Sequence, residues 1–449
     1  MLRYLQTLFG IGWKQKDRKN MDCSTSKEYF PLVSQQVVYW NLGRVAVDFS
    51  YGYTGVWAFQ IVGDLDIDAL VRSFELIVAR HDALRLRIGI LDRRLRQSVS
   101  DPCEFGVEVV DLTGRKYSDE MAESFRKDSE RPYGNILGTN LFSVRILRVG
   151  AYLNILEWTI DHCIMDGWSG KILLRELALF YSALSKRGSI AEPPWPTQFS
   201  EYIRWQERWF SREESRRHIE YERSAVAATK LIGPAEALKN ARPLGAGHRF
   251  EVCDLSSPEL RAFAKFALSN GMRVSFLLTT IYAYALARWS GSEEFVICSA
   301  FNGRRQPEFI ETFGCFTYQI LIKVRLKRDR SFSEALRSVP KSIVNGYLHC
   351  GAMNREVPEW RGYCSFSFWD DSPLNLALDG LAINAIRGDP REAMRNRLGP
   401  HILTGLRANV EDDRLKVALG TNMLPEEELV PLVYHVRKHV AAICAGECC

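Results

Sequence analysis

Apolar residues recur along this chain at two spacings, and the alternation between them divides it into helices and strands. From Asp68 to His81, Leu70, Val71, Phe74, Ile77 and Val78 fall three and four residues apart, which places them on one face of a helix. A strand is expected next, from Leu84 to Ile90. The stretch from Tyr152 to Ile160 reads as a strand in which Leu153, Ile155 and Trp158 interrupt polar positions. Helical spacing resumes at about Ser169 and runs through Leu173, Leu174, Leu177, Phe180, Tyr181 and Leu184. A turn must join the two, and Asp161-His162-Cys163-Ile164-Met165-Asp166-Gly167 supplies it.

Glycine and proline gather between Leu231 and Gly247 as a crossover linker. Beyond it the order of elements repeats. A strand near Phe250 is followed by a helix from Pro258 to Asn270, a buried helix from Val274 to Trp289 and strands from Phe295 to Ala300 and Tyr318 to Leu326. Two layered halves of mixed sheet and helix are therefore expected, an α/β (α+β) architecture. The expected division is an N-terminal extension at residues 1–27, a first lobe at 28–215 and a second at 216–449.

At 449 residues, with 46% hydrophobic and 11% aromatic, the chain can build the cores of a two-lobed enzyme. A net charge of +5 is too thinly spread for nucleic acid. The densest basic run, Arg204, Arg208, Arg212, Arg216 and Arg217, reads as a solvated helix face; a modest positive patch would still suit encounter with an acidic protein partner. Eleven scattered cysteines without a C-x-x-C pair read as reduced thiols of a cytoplasmic protein, and Cys444, Cys448 and Cys449 as a frayed tail. No metal cluster emerges from the eight histidines, since His435 and His439 lack acidic neighbours and read as surface residues. With no run of 18 apolar residues, no transmembrane helix is expected. Leu2, Leu5, Leu8, Phe9 and Ile11 precede Lys14, Lys16, Arg18 and Lys19, the reverse of a signal peptide's order.

The turn carries the chemistry. A histidine of ordinary pKa, about 6.5, can take a proton from an amine or hydroxyl as it attacks a carbonyl, worth about 10²- to 10⁴-fold. His162 is placed for that. The helix start beside it offers the N–H groups from Gly167 to Gly170 to a developing oxyanion. Asp166 either orients the imidazole or pairs with a distant basic side chain to hold the turn, and the second reading is preferred. Cys163 adjoins His162, but adjacent turn residues point apart, which argues against a Cys–His nucleophile. Trp205, Trp209 and Phe210, at helical spacing, read as core rather than as a substrate-lining surface. Arg80 and Arg85 are candidates to support the turn from beneath, although a capped helix end accounts for Arg80 nearly as well.

Seven segments follow one another in a telling order. They are Phe30-Pro31-Leu32 with Gln36 and Tyr39; Arg80-His81-Asp82-Ala83-Leu84-Arg85; the turn itself; Pro194 through Phe199 with Tyr202, Trp205, Gln206 and Trp209; Ala287-Arg288-Trp289-Ser290-Gly291; Asn302-Gly303-Arg304-Arg305; and Phe313-Gly314-Cys315-Phe316-Thr317. Together they resemble the condensation-domain superfamily, acyltransferases of nonribosomal peptide assembly lines related to chloramphenicol acetyltransferase and to polyketide acyltransferases. The resemblance implies a V-shaped pseudodimer of two chloramphenicol acetyltransferase-like halves, with catalytic His162 midway along a central tunnel. It implies no bound cofactor: the donor arrives on the phosphopantetheine arm of an acyl or peptidyl carrier protein, and the acceptor is an amine or alcohol. Asp161 and Gly167 then support the site, and Ser169, Asn302 and Thr317 contact substrate. The base partnering Asp166 falls on Lys323 or on Arg325 of the same strand face.

Departures open two rivals. The family's turn usually reads His-His-x-x-x-Asp-Gly, and Asp161 replaces the first histidine. Asp161, Asp166 and Ser169 fit the signature of heterocyclization domains, which close thiazoline or oxazoline rings; His162 would be superfluous there, and Cys315 stands where that group carries aspartate. A non-catalytic domain that recruits carriers is the other rival, and retention of His162, Asp166 and Gly167 argues against it. After residue 345 only His349 matches a family segment, which leaves the acceptor open. The expected activity is that of a free-standing condensation enzyme, because no carrier serine motif or adenylating segment is recognisable.

Overall fold

A computed structural model describes residues 28–37, 40, 54–113, 137–186, 193–228, 232–239, 241, 247–327, 329, 331–350, 363–370, 376–386 and 402–447. The readings made for residues 1–27, Tyr39, Cys448, Cys449 and much of the 231–247 linker lie outside these. The chain forms two compact units. The first is Met1–Trp209 with Arg304–Phe316 and Leu374–Arg387; the second is Phe210–Gly303, Thr317–Pro373 and Gly388–Cys449. Two stretches from late in the chain thus fold with the first unit. Neither is set apart by periodicity, since what assigns them is the surface they bury.

The first unit contains β1 (Thr54–Val62), α1 (Ile67–Arg80), a hairpin of β2 (Leu86–Leu91) and β3 (Arg94–Val99), β4 (Val107–Asp111), β5 (Phe142–Gly150), β6 (Leu153–Asp161), α2 (Gly167–Ser185) and α3 (Phe199–Phe210). β6 is the middle strand of a five-stranded sheet, antiparallel to β1 and β5; β4 forms one edge and the short strand Ala382–Ala385 the other. Every residue from Asn154 to Ile160 is buried instead of every second one, so both faces of this strand are covered. Leu156, Trp158 and Ile160 enter the main core, and Ile155 joins Leu112 and Leu147 in a smaller cluster. Glu157 is accommodated because Arg145, opposite it on β5, reaches its carboxylate at 3.0 Å. α1 buries Leu70, Phe74, Ile77 and Val78 of the stripe read from sequence and partly buries Val71, with Asp66 capping it through the Ala69 N–H at 2.8 Å. A 3₁₀ turn at Asp82–Arg85 delays the following strand to Leu86.

The second unit contains α4 (Glu214–Ala227), β7 (His248–Leu255), α5 (Ser257–Ser269), α6 (Val274–Ser290), β8 (Glu294–Phe301), β9 (Tyr318–Arg325), α7 (Phe332–Leu348), β10 (Tyr363–Asp370), β11 (Ile402–Glu411), β12 (Arg414–Thr421) and α8 (Glu426–Cys444). Its sheet runs β7-β12-β11-β10-β8-β9, with β10 parallel to both neighbours and the other pairs antiparallel. α6 is apolar nearly all round and is buried among α5, α7 and α8. Both units are the mixed α/β structures expected. One expectation is corrected here: His435 and His439 are half-buried, not on the surface. The His439 ring packs 4.8 Å from Phe332 and 5.1 Å from Tyr284, and burial lowers the pKa of both imidazoles. Among the described residues no helix is long and apolar enough to cross a membrane.

Candidate active site

β6 ends at Asp161, and a tight turn carries the chain into α2. The Ile164 N–H donates to the Asp161 carbonyl at 3.0 Å, which puts His162 and Cys163 at the two corner positions. The Asp161 carboxylate accepts the Cys163 N–H at 2.8 Å, the bond a short acidic side chain makes two residues along. His162 is half-buried, whereas Cys163, Ile164 and Met165 beyond it are buried. From far earlier in the chain, the Gln36 side-chain amide donates to the Cys163 carbonyl at 2.9 Å. Gln36 and Gln97 also exchange two amide hydrogen bonds of 2.8 Å each.

Asp166 caps α2 and is 4% exposed. One carboxylate oxygen accepts the Ser169 N–H and lies 2.9 Å from the Ser169 hydroxyl. The other accepts from the Arg304 guanidinium and from the Phe316 N–H at 3.2 Å. Arg304 donates further to the Ser169 Oγ at 2.9 Å and the Thr312 carbonyl at 3.0 Å, and its guanidinium lies 4.2 Å from the centre of the Phe316 ring. Gly314 closes the clasp, donating its N–H to Ser169 Oγ at 3.0 Å. A Cβ there would fall 2.1 Å from the Phe199 ring, so the position has room only for glycine.

Four expectations change. The base facing Asp166 is Arg304, not Lys323 or Arg325: on β9, Lys323 Nζ lies 3.2 Å from Ser224 Oγ and Arg325 pairs with Glu294 at 2.7 Å. Ser169 is fully buried with its hydroxyl engaged in the clasp, so it fastens the turn instead of meeting substrate. Of the helix-start amides expected to face an oxyanion, that of Ser169 is taken by the Asp166 carboxylate and that of Gly170 by the Asp166 carbonyl. Arg85 does not reach the turn; it donates to the Val78 and Ser100 carbonyls at 3.0 and 2.7 Å. Asn302, exposed, and Thr317, half-buried, flank the Arg304–Phe316 segment in sequence and belong to the second unit.

Arg80 supports α2 at mid-length. Its Nε and the His81 Nε2 reach the Glu176 carboxylate at 3.1 and 2.8 Å, and it also donates to the Pro194 carbonyl. Asp82 accepts the Phe199 and Ser200 N–H groups at 2.8 and 3.0 Å and so caps α3. Burial raises the Glu176 carboxyl, but the His81 hydrogen bond and the Arg80 charge outweigh it and leave its pKa below the ordinary 4.5. A depressed carboxylate contributes stability that is complete above the unfolded pKa and lost as pH falls through the folded one. The wild-type melting temperature should therefore drop more steeply below about pH 4.5 than that of Glu176→Gln. Parallel acid limbs in thermal scans from pH 7 to 3 would refute this.

Cys163 is 1% exposed, and burial followed by the Asp161 charge pushes its thiol well up, so it stays protonated and is no nucleophile. Trp205 is partly buried against the core, stacking 5.7 Å from Tyr202 and meeting Phe309 edge-on at 5.9 Å, whereas Trp209 and Phe210 are partly buried outside the core clusters. Among the described residues no three His, Cys, Asp or Glu side chains are grouped to hold a metal.

Residues 27–352 match the sequence family described as Condensation domain. The chain belongs to the condensation-domain family. It is 25% identical over 338 residues to bacitracin synthase 3 of Bacillus licheniformis, a match covering 74% of this chain and 5% of that protein. It spans less than a tenth of the length of the first curated relatives it matches. Its fold is similar to the X-domain from teicoplanin biosynthesis, with TM-score 0.75 and 17% identity over 95% of this chain and 97% of that one. It is also similar to the epimerization domain from the third module of tyrocidine synthetase B, with TM-score 0.71 and 17% identity over 94% and 98%. Condensation domains carry out acyl transfer in nonribosomal peptide and polyketide assembly on substrates tethered to carrier domains. In this condensation domain, Gln36, Glu176 and Arg304 act on the turn and its helix in roles not read from sequence. Gln36 and Arg304 lie inside family-like segments, but nothing in their spacing points to Cys163 or Asp166.

Proposed function

We propose that this condensation domain transfers an acyl group from a carrier-bound thioester to an amine or hydroxyl, with His162 receiving the acceptor's proton. One observation carries the reading: the turn is fastened at Asp161, Cys163, Asp166 and Ser169, and it holds the partly buried His162 at its corner. Such fixing is what lets a general base lie in line with a tethered carbonyl. The acceptor's lone pair forms the new C–N or C–O bond, the C–S bond breaks, and the proton taken by His162 passes to the departing phosphopantetheine sulfur. A protonated, buried Cys163 leaves no competing acyl-cysteine route.

The test is intact-mass analysis of acyl-loaded carrier incubated with amine and alcohol acceptors. A condensed product with release of free carrier thiol is expected. Loss of one further water, abolished by Asp161→Asn, would instead indicate ring closure; asparagine retains the oxygen that accepts the Cys163 N–H, so the substitution removes charge without undoing the turn. Carrier binding with no turnover under any acceptor would sink the catalytic reading.

A further inference from the structure

Gln36 occupies a position that neither the turn motif nor the ion pair explains. It is fully buried, and every hydrogen-bonding group of its side chain is used. Its Nε2 donates to the Cys163 carbonyl at 2.9 Å and to Gln97 Oε1 at 2.8 Å; its Oε1 accepts from the Val33 N–H at 2.9 Å and from Gln97 Nε2 at 2.8 Å. Gln97, also fully buried, is fixed in turn, since its Nε2 donates to the Pro31 carbonyl and its backbone exchanges two 2.8 Å bonds with Phe30. The amide pair therefore cannot rotate without breaking several bonds at once, and a completely satisfied buried network of this kind is rigid.

Its hydrogen bond to the turn falls on the residue after His162. The Cys163 N–H is held by Asp161 and the Cys163 carbonyl by Gln36, so both peptide planes that follow His162 are pinned, one locally and one from the far end of the unit. We infer that Gln36, oriented by Gln97, is a positioning residue that sets the direction of the His162 imidazole through the Cys163 carbonyl. The inference rests on the catalytic reading of His162 for its effect on turnover, but the geometry it asserts is independent of that reading. A displacement of about 1 Å at a catalytic group costs on the order of 10²-fold, so loosening this carbonyl should act on turnover and leave substrate affinity nearly alone.

Two variants test it. Gln36→Glu keeps size and shape but sets an acceptor against the Cys163 carbonyl, and Gln36→Met keeps length without any donor. Ile146→Val, in the fully buried core of the same unit and outside this hydrogen-bond network, serves as a destabilised control. The readouts are kcat and KM with loaded carrier, thermal stability, and the NMR titration of the His162 ring, assigned by its loss in His162→Ala. The expected result is a fall in kcat of about 10- to 100-fold with KM within about twofold, together with a displaced His162 titration, in whichever Gln36 variant folds; the control should change only stability. Loss of activity merely in step with stability, with an unmoved His162 titration, overturns the inference. Should His162→Ala retain full turnover, the catalytic reading falls, while the ring titration still decides whether Gln36 positions that side chain.

Discussion

Arg304→Ala is expected to cost the first unit about 3–5 kcal/mol, because it leaves the Asp166 carboxylate buried without its counter-charge. The Arg304 and Asp166 side chains are only 2% and 4% exposed, so solvent screening does little to soften the loss. The guanidinium also makes contacts no smaller cation can copy, to Ser169 Oγ, the Thr312 carbonyl and the Phe316 ring at once. Arg304→Lys should accordingly recover only part of the stability. Asp166→Ala should be comparably damaging, since it removes the pair and the cap of α2 together. The double variant Asp166→Ala/Arg304→Ala should cost less than the two single losses added, because no charge is left stranded. Urea unfolding measures all four. A single-variant cost below about 1 kcal/mol, the level of an exposed pair, would show that the clasp does not hold the turn.

His162→Ala is expected to reduce acyl transfer by about 10²- to 10⁴-fold, the share a positioned general base supplies. His162 is only partly buried at a turn corner, so the loss of urea stability should be well below that of Arg304→Ala. The contrast between the two substitutions matters: Arg304→Ala lowers activity by loosening the turn and stability with it, whereas His162→Ala separates the two. Full turnover in folded His162→Ala protein would remove the imidazole from the mechanism.

Local pattern determined a good deal here. The stripe of α1, the apolar run of β6, the helix after it and the all-round apolar α6 were placed within a few residues of their observed ends, because their period follows from backbone geometry alone. The turn and His162 were legible for the same reason, lying where one period gives way to the other. The pattern could not show that β6 would be covered on both faces, nor that Glu157 would be matched by Arg145, since the first depends on what packs over the sheet and the second on which strand lies beside it.

Partner choice was the tertiary structure's to decide. Strand-face reasoning assigned the base for Asp166 to Lys323 or Arg325, yet Arg304 fills that role from an irregular segment with no period to read. Gln36 reaches Cys163 across 127 positions, and residues 374–387 join a unit whose other strands are all complete by residue 161. Sequence by itself determined the elements, the turn and the family, because those are written in short-range spacing and in ordered motifs. Only the folded chain decided which buried charge meets which, because a buried carboxylate must be matched by whatever donor the closed core brings within reach, however far away along the chain.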